Sequence, residues 1–290
     1  MKVSGFTFIR NAVKFDYPVV EAISSVLPFV DEFIVMSGNS EDETNQLVES
    51  IGSDKIKIFR SIWDDTLRSG GRVLAAETDK AMEKIALDSD WGFYIQADEI
   101  FHEESAESVL KSMKKYKDDV SVEGLLFNYH HFYGSFDYVA DSRRWYRKEI
   151  RIIRPHSGIS SWKDAQGFRK NRRHLKVKES GGSIYHYGWV KPPEFQQAKQ
   201  QYFHKLWHND QWMKENVPDV PGFDYSKVDS VQRFKGSHPF VIRERINRQN
   251  WEVNIDPSKK RLSLRLRMLL FIEKLTGWRI GEYRNYRLLR

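Results

Sequence analysis

Four short apolar runs separated by helix-length segments fill the first hundred residues, and this rhythm constrains the fold more than any other feature of the chain. Residues 3–9, 32–36, 56–59 and 91–95 read as strands, and residues 18–27, 41–51 and 72–87 as the helices between them. Strands joined through helices of this length imply βαβ crossovers and a mainly parallel sheet flanked by helices, an α/β class. Ser40-Glu41-Asp42-Glu43 has the S-x-x-E form of a capping box, with Ser40 as N-cap of the second helix.

The fourth run ends abruptly. In W-G-F-Y-I-Q-A-D-E-I-F-H, residues 91–102, the apolar Phe93-Tyr94-Ile95 gives way to Asp98 and Glu99. A short apolar run stopped by charge reads as a buried strand emerging at the rim of its sheet. Ligands of open α/β sheets sit outside the carboxyl ends of the strands. Carboxylates placed there suit a hard divalent cation that holds a phosphate-bearing substrate, which points to a nucleotide-sugar site. The plain alternative is an Asp that caps the strand end or the next helix.

Past residue 121 the rhythm changes. Residues 124–133 and 150–153 look like strands joined by irregular segments rich in Arg, Trp and Tyr, and Pro192-Pro193 then punctuates the chain. A helical stretch over 194–213 and a Pro-containing loop over 217–222 follow, with no internal repeat. The expected layout is a domain over 1–190, divided into halves 1–120 and 121–190, a helical extension over 191–255, and a basic amphipathic segment over 256–290.

Composition narrows the options. With no cysteine, disulfides, thiol catalysis and zinc–thiolate sites are excluded. The first residues hold too short an apolar stretch for a signal peptide, and no run reaches the roughly 18 to 20 residues of a membrane span, so a cytoplasmic protein is expected. The net charge of +7 is unevenly placed. From Pro257 onward ten Lys or Arg face only Glu273 and Glu282, a net +8, so the rest of the chain totals −1. The main body is therefore not a basic nucleic-acid binder.

Four pieces now fall in order: Arg10-Asn11 after the first strand, V-D-E leading through a second strand to G-N-S-E-D-E-T at 38–44, Q-A-D-E at 96–99, and Y-H-Y-G-W at 185–189. Their order over residues 1–190 resembles the family 2 glycosyltransferases. That resemblance implies a GT-A-type, Rossmann-like sheet and, in a protein of this family, an inverting transfer from a nucleotide-sugar donor to a saccharide or lipid-linked acceptor. It also implies Mn²⁺ or Mg²⁺ as cofactor, and a role in making surface polysaccharide. Two positions depart from the family pattern: Ser37 stands where an acid usually contacts the base, and Gln96 where the first Asp of D-x-D belongs.

The resemblance and the chemistry together nominate residues. Asp98 is the leading metal ligand, with His186 the downstream partner, because a divalent ion stabilises a departing diphosphate as a Lewis acid. Glu99 is expected to orient that site or touch sugar, and Gln96 to offer a neutral oxygen. Arg10, Asn11, Asn39 and Asp42 fall where base and ribose would lie, while Arg68 and Arg72 could pair with phosphate. Asp164 is the candidate base for the acceptor hydroxyl, with Asp141 as runner-up. Trp145 and Trp162 could stack on acceptor sugars, and packing is the alternative for both.

The tail, K-K-R-L-S-L-R-L-R-M-L-L-F-I-E-K-L-T-G-W-R-I, reads as a helix packed on the domain with its arginines outward, or as a segment lying on an anionic membrane. Competing functions are a nucleotidyltransferase, against which the first strand lacks a Gly-rich basic loop, and a non-catalytic carbohydrate- or nucleic-acid-binding protein.

Overall fold

The early apolar runs become strands because helices cover both of their faces. The computed structural model describes residues 1–67 and 70–289. In order, the first half carries β1 (Val3–Ile9), α1 (Val19–Val26), β2 (Glu32–Ser37), α2 (Thr44–Glu49), β3 (Ile56–Arg60), α3 (Arg72–Glu83), β4 (Trp91–Tyr94), β5 (Glu99–Phe101) and α4 (Ala106–Tyr116). β6 (Gly124–Tyr133), β7 (Ser135–Ala140), β8 (Lys148–Ile153), β9 (Ile159–Trp162), β10 (Gly167–Lys170), β11 (Arg173–His174) and β12 (Lys176–Trp189) follow. The last third holds α5 (Pro193–Lys205), α6 (Asp210–Asn216), β13 (Val231–Arg233), α7 (Arg243–Asn247), α8 (Leu264–Thr276) and β14 (Arg287–Leu288).

The α/β class is the one expected. β3, β2, β1 and β4 lie side by side and parallel, with Ser4 opposite Glu32 and Phe6 opposite Tyr94. Alternate residues point to opposite faces. Val3, Ile9, Val35 and Phe93 therefore pack toward α1, and Phe6, Ile34, Met36 and Tyr94 toward α3. Beyond β4 the sheet turns mixed: β8 pairs antiparallel to β4, and β6 antiparallel to β8.

β12 decides where the site forms. It runs parallel beside β6 and antiparallel beside β5, so that His186 lies opposite both His131 and Glu99. A residue nearly ninety positions downstream of the Q-A-D-E turn is thereby brought to it.

The capping box does not form. Helix α2 starts only at Thr44, with no side-chain cap on its Glu43 N-cap. Ser40 Oγ instead accepts from the Asn11 backbone N–H at 3.0 Å, and Asp42 accepts from the N–H of Thr44 at 3.1 Å. A tertiary contact outcompetes the local one, and the helix loses its first turn.

The tail does form a helix, but not with its arginines alone outward. Ser263 accepts from the N–H of Leu266 at its start and left-handed Gly277 ends it, yet no α8 side chain is fully buried.

Arg151, on β8, has no exposed surface. Its Nε donates to Glu99 at 2.7 Å and its Nη2 to the other carboxylate oxygen, which also accepts from the Tyr129 hydroxyl. Its Nη1 donates to the carbonyls of Ile150 and Gln166 at 2.9 and 3.0 Å. Glu99 Oε2 further accepts from the Gln96 N–H at 3.2 Å, closing the Q-A-D-E turn on itself. Removing one partner of a buried pair strands the other charge. Arg151→Met should lower unfolding free energy by about 3 to 5 kcal/mol, with the double variant Arg151→Met/Glu99→Gln recovering part of it. Urea melts of the three proteins check this; a single variant within about 1 kcal/mol of wild type would show that the pair does not hold this region.

Glu149 sits beside Arg151 with a different outcome. Burial pushes its carboxyl up from 4.5 to about 7, against the pull of Arg151 and of donors from Gln166 and Asn285. The folded protein thus binds this proton more tightly than the unfolded chain. The resulting stability is fully present below pH 4.5 and is lost as pH rises through about 7. Glu149→Gln should remove about 2 to 3 kcal/mol of pH dependence, seen as a flatter melting temperature between about pH 5 and pH 8. Parallel pH curves for variant and wild type would assign the proton elsewhere.

Candidate functional site

A cleft of about 520 Å³ opens at the carboxyl ends of β1 and β4. That volume lies within the range of small-molecule sites. Asp98, His186 and Lys199 meet on its floor. Lys199 Nζ, from α5, donates to Asp98 Oδ2 at 3.0 Å and to the Gly188 carbonyl at 2.9 Å. His186 Nε2 lies 3.6 Å from the same carboxylate oxygen. Burial alone would raise the Asp98 pKa, but Lys199, His186 and Lys191 outweigh it and hold the carboxyl well below the usual range.

Gly188 permits this convergence. A Cβ there would lie 2.4 Å from Asp98 Oδ2 and 2.5 Å from His186 Nε2, so any side chain would drive the two apart. The Tyr187 N–H meanwhile donates to the Asp98 carbonyl at 2.8 Å, joining the two motifs through their backbones.

The hydrogen bonds also assign the imidazole. His131 Nε2 is 3.0 Å from the Tyr146 carbonyl, which can only accept, so Nε2 carries the proton. Burial holds the His131 pKa well below normal, aided by His186, and the ring is neutral with Nδ1 as an acceptor. The proton between His131 Nδ1 and His186 Nδ1, 3.3 Å apart, then belongs to His186. His186 is thereby oriented with Nε2 facing Asp98 and the cleft.

Among the described residues no three His, Asp or Glu side chains converge as a complete metal cage. Asp98 and His186 offer one anionic oxygen and one imidazole nitrogen, which fits an ion whose remaining ligands arrive with the substrate. The same Asp98 oxygen accepts from the Lys199 ammonium.

The upper walls present polar atoms without partners. Arg10 is buried at the end of β1, bound to Asp65 at 2.7 Å, with Trp63 and Tyr202 rings 5.4 and 5.9 Å from its guanidinium carbon. Among the described residues Arg10 Nε, Trp63 Nε1 and the Tyr202 hydroxyl find no hydrogen-bond partner. Buried polar atoms are nearly always paired, so three unpaired around one cavity mark where a ligand's polar atoms would go.

Asp164 faces this floor from the loop between β9 and β10. Its neighbours Lys163 and Ala165 both have positive φ, 55° and 61°, a conformation that costs energy for non-glycine residues. Burial raises the Asp164 pKa, partly offset by backbone N–H groups and Lys163. Gln96 secures the loop, donating to the Ala165 carbonyl at 3.1 Å and the Tyr94 hydroxyl at 3.3 Å. An aspartate could not donate to that carbonyl, which gives the departure from D-x-D a physical reason.

Of the nominated residues, the cleft thus gathers Arg10, Gln96, Asp98, Asp164 and His186. The others lie elsewhere. Glu99 is fully enclosed by Arg151 and Tyr129 and has no path to a sugar. Asn11 accepts from the Glu41 N–H at 2.8 Å, and Asp42 from the Lys14 N–H at 2.7 Å, so both brace loops. Asn39 is exposed and accepts from the Trp63 N–H at 3.2 Å. Arg72 is exposed at the start of α3, and Arg68 lies outside the described residues.

Asp141 is bound by Lys260 at 2.7 Å and by Ser230, away from the cleft. Trp145 packs on His131, Tyr133 and Trp189, and Trp162 carries the Arg169 guanidinium at 5.4 Å. Neither lines the cleft; Trp63 and Trp189 do. Sequence reading missed Lys199 and Tyr202. Their signal was an amphipathic irregularity: α5 buries Gln196, Gln197 and Lys199, polar residues on an inward face.

No protein-family model matches the chain, and no curated protein does. Loose likenesses to solved structures exist. Staphylococcus aureus TarS 1–349 in complex with UDP-GlcNAc is 19% identical over 46% of this chain and 35% of its own, with a TM-score of 0.32. TarS 1–349 in complex with UDP is 15% identical over 76% of this chain and 68% of its own, with a TM-score of 0.36. Glucosyl-3-phosphoglycerate synthase from Mycobacterium tuberculosis, in complex with Mn²⁺ and UDP-Glc, is 15% identical over 45% of this chain and 44% of its own, with a TM-score of 0.30. The chain thus spans less than half the length of the first and third of these. Likenesses this loose assign no activity, and the functional reading rests on the residues of the cleft.

Proposed function

We propose that the cleft is the donor site of a glycosyltransferase that moves a sugar, with inversion, from a nucleotide-sugar to a saccharide or lipid-linked acceptor, as in assembly of a surface polysaccharide. The observation that carries this reading is the convergence of Asp98, His186 and Lys199 beneath unpaired polar atoms of Arg10, Trp63 and Tyr202. Glycosyl transfer must stabilise a departing diphosphate, and preorganised charge in a water-poor site does this at little reorganisation cost. Lys199 and Arg10 are the cations for phosphate oxygens. The unpaired Trp63 and Tyr202 groups suit the polar edges of a nucleoside.

Asp98 and His186 are the residues that would hold a divalent cation, which when bound would neutralise charge on the leaving diphosphate. With only two protein ligands, binding of Mn²⁺ or Mg²⁺ is expected to depend on the diphosphate. Inverting transfer is a single displacement that needs one base and one leaving-group site. Asp164 faces the floor as the base; its buried, raised-pKa carboxylate is a better proton acceptor than an exposed one.

Thermal-shift measurements with UDP, GDP, dTDP and CMP, and their sugars, with and without Mn²⁺, test the donor site. One nucleotide is expected to raise the melting temperature by several degrees, more with Mn²⁺ than without, while Mn²⁺ alone does little. If no nucleotide shifts the melt in either condition, the reading is wrong. Asp98→Asn should abolish the Mn²⁺-enhanced part of that shift and reduce donor turnover on the order of 100-fold or more. Asp164→Asn should keep the shift and lose transfer by about 100-fold or more; normal transfer by this variant would remove Asp164 from the mechanism.

A further inference from the structure

Helix α8 turns a row of large apolar side chains to solvent. Leu264 is 83% exposed, Met268 63%, Phe271 62%, Leu275 68% and, just past the helix, Trp278 64%. Their spacing of four, three, four and three residues places them in one stripe along one face. The opposite face is already used. Glu273 receives Arg143 at 2.5 Å and Arg147 at 3.1 Å, so the helix is pinned to the domain with its apolar stripe outward. Isolated surface hydrophobics need no explanation, but a continuous stripe on a fixed helix does.

Charge selects the occupant. Arg265 lies on one flank of the stripe, Arg267 and Lys274 on the other, all exposed. Between residues 257 and 281 the only acid is Glu273, and it is turned to the domain. A second copy of this chain seated on the stripe would bring these cations face to face with their equivalents, an arrangement that opposes pairing. An anionic bilayer surface satisfies both parts: the stripe enters the headgroup boundary and the flanking cations reach lipid phosphates. We propose that α8 lies in the plane of an anionic membrane surface and docks the protein there peripherally. The hollow beneath α8, lined by Arg143, Arg265 and Leu266, shares Tyr146 and Gln166 with the donor cleft, so docking would set a lipid-borne ligand beside that cleft. The docking surface itself stands independently of the donor reading. Among the described residues no helix is long and apolar enough to cross a membrane, in keeping with surface attachment.

Flotation of the full chain with phosphatidylcholine vesicles, with or without about 30% phosphatidylglycerol, tests this. The protein should float with anionic vesicles at least about 10-fold more than with neutral ones, and lose most of that binding in about 0.5 M NaCl. The triple variant Met268→Gln/Phe271→Gln/Leu275→Gln should lower binding at least about 10-fold with an unchanged melting temperature, because these side chains contact solvent. Arg265→Glu/Lys274→Glu should do the same by charge. Equal binding to both vesicle types, or full binding by both variants, would overturn the proposal. So would a dimer in solution that the triple variant converts to monomer while vesicles bind neither protein. Because nucleotide-induced melting shifts are read in the absence of lipid, failure here and failure of the donor site are told apart.

Discussion

A guanidinium with no exposed surface must be neutralised inside the protein, and Arg151 is neutralised by Glu99. That pair determines much of what surrounds it. It ties β5 to β8, draws in the Tyr129 hydroxyl from β6, and leaves Glu99 closing the Q-A-D-E turn through the Gln96 N–H. With the turn fixed, the adjacent Asp98 faces the cleft and its carbonyl accepts from β12. Two neighbouring carboxylates therefore have opposite fates: one is consumed in holding the sheet, the other is left where a ligand can reach it.

The parallel half of the fold was legible because its signals are local. Residues 3–9 and 32–36 are apolar runs with both faces buried, and the strands begin where those runs begin. The start of α2 was misread for the opposite reason. Ser40 has the right spacing to Glu43, but Asn11, far away in sequence, offers it a backbone N–H. The tail was left open between a packed helix and a membrane-lying segment because its sequence does not say which side of the helix meets the protein. Glu273, bound by Arg143 and Arg147, settles the side, and that contact spans some 130 residues.

The site was legible only where a motif carried it. Asp98, His186 and Gln96 stand in recognisable strings, whereas Lys199 and Tyr202 arrive from a helix whose sequence resembles an ordinary surface helix. Glu99 read as orienting the site or touching sugar; burial and an arginine from another strand leave it only the first of these. Gln96 read as a weakened ligand, and its amide turns out to hold the loop of Asp164.

The ammonium of Lys199 carries a consequence for how stability and activity are balanced. It has already left water, fixed between the Asp98 carboxylate and the Gly188 carbonyl, before any ligand binds. The work of dehydrating it, and of holding Lys191 buried nearby with its pKa well depressed by burial and by Lys199, is done once, during folding. An incoming anion meets an ammonium that need not be stripped of solvent again. The cleft is thus a place where the folded state is less stable than an apolar lining would make it, and the difference is held in reserve for the ligand.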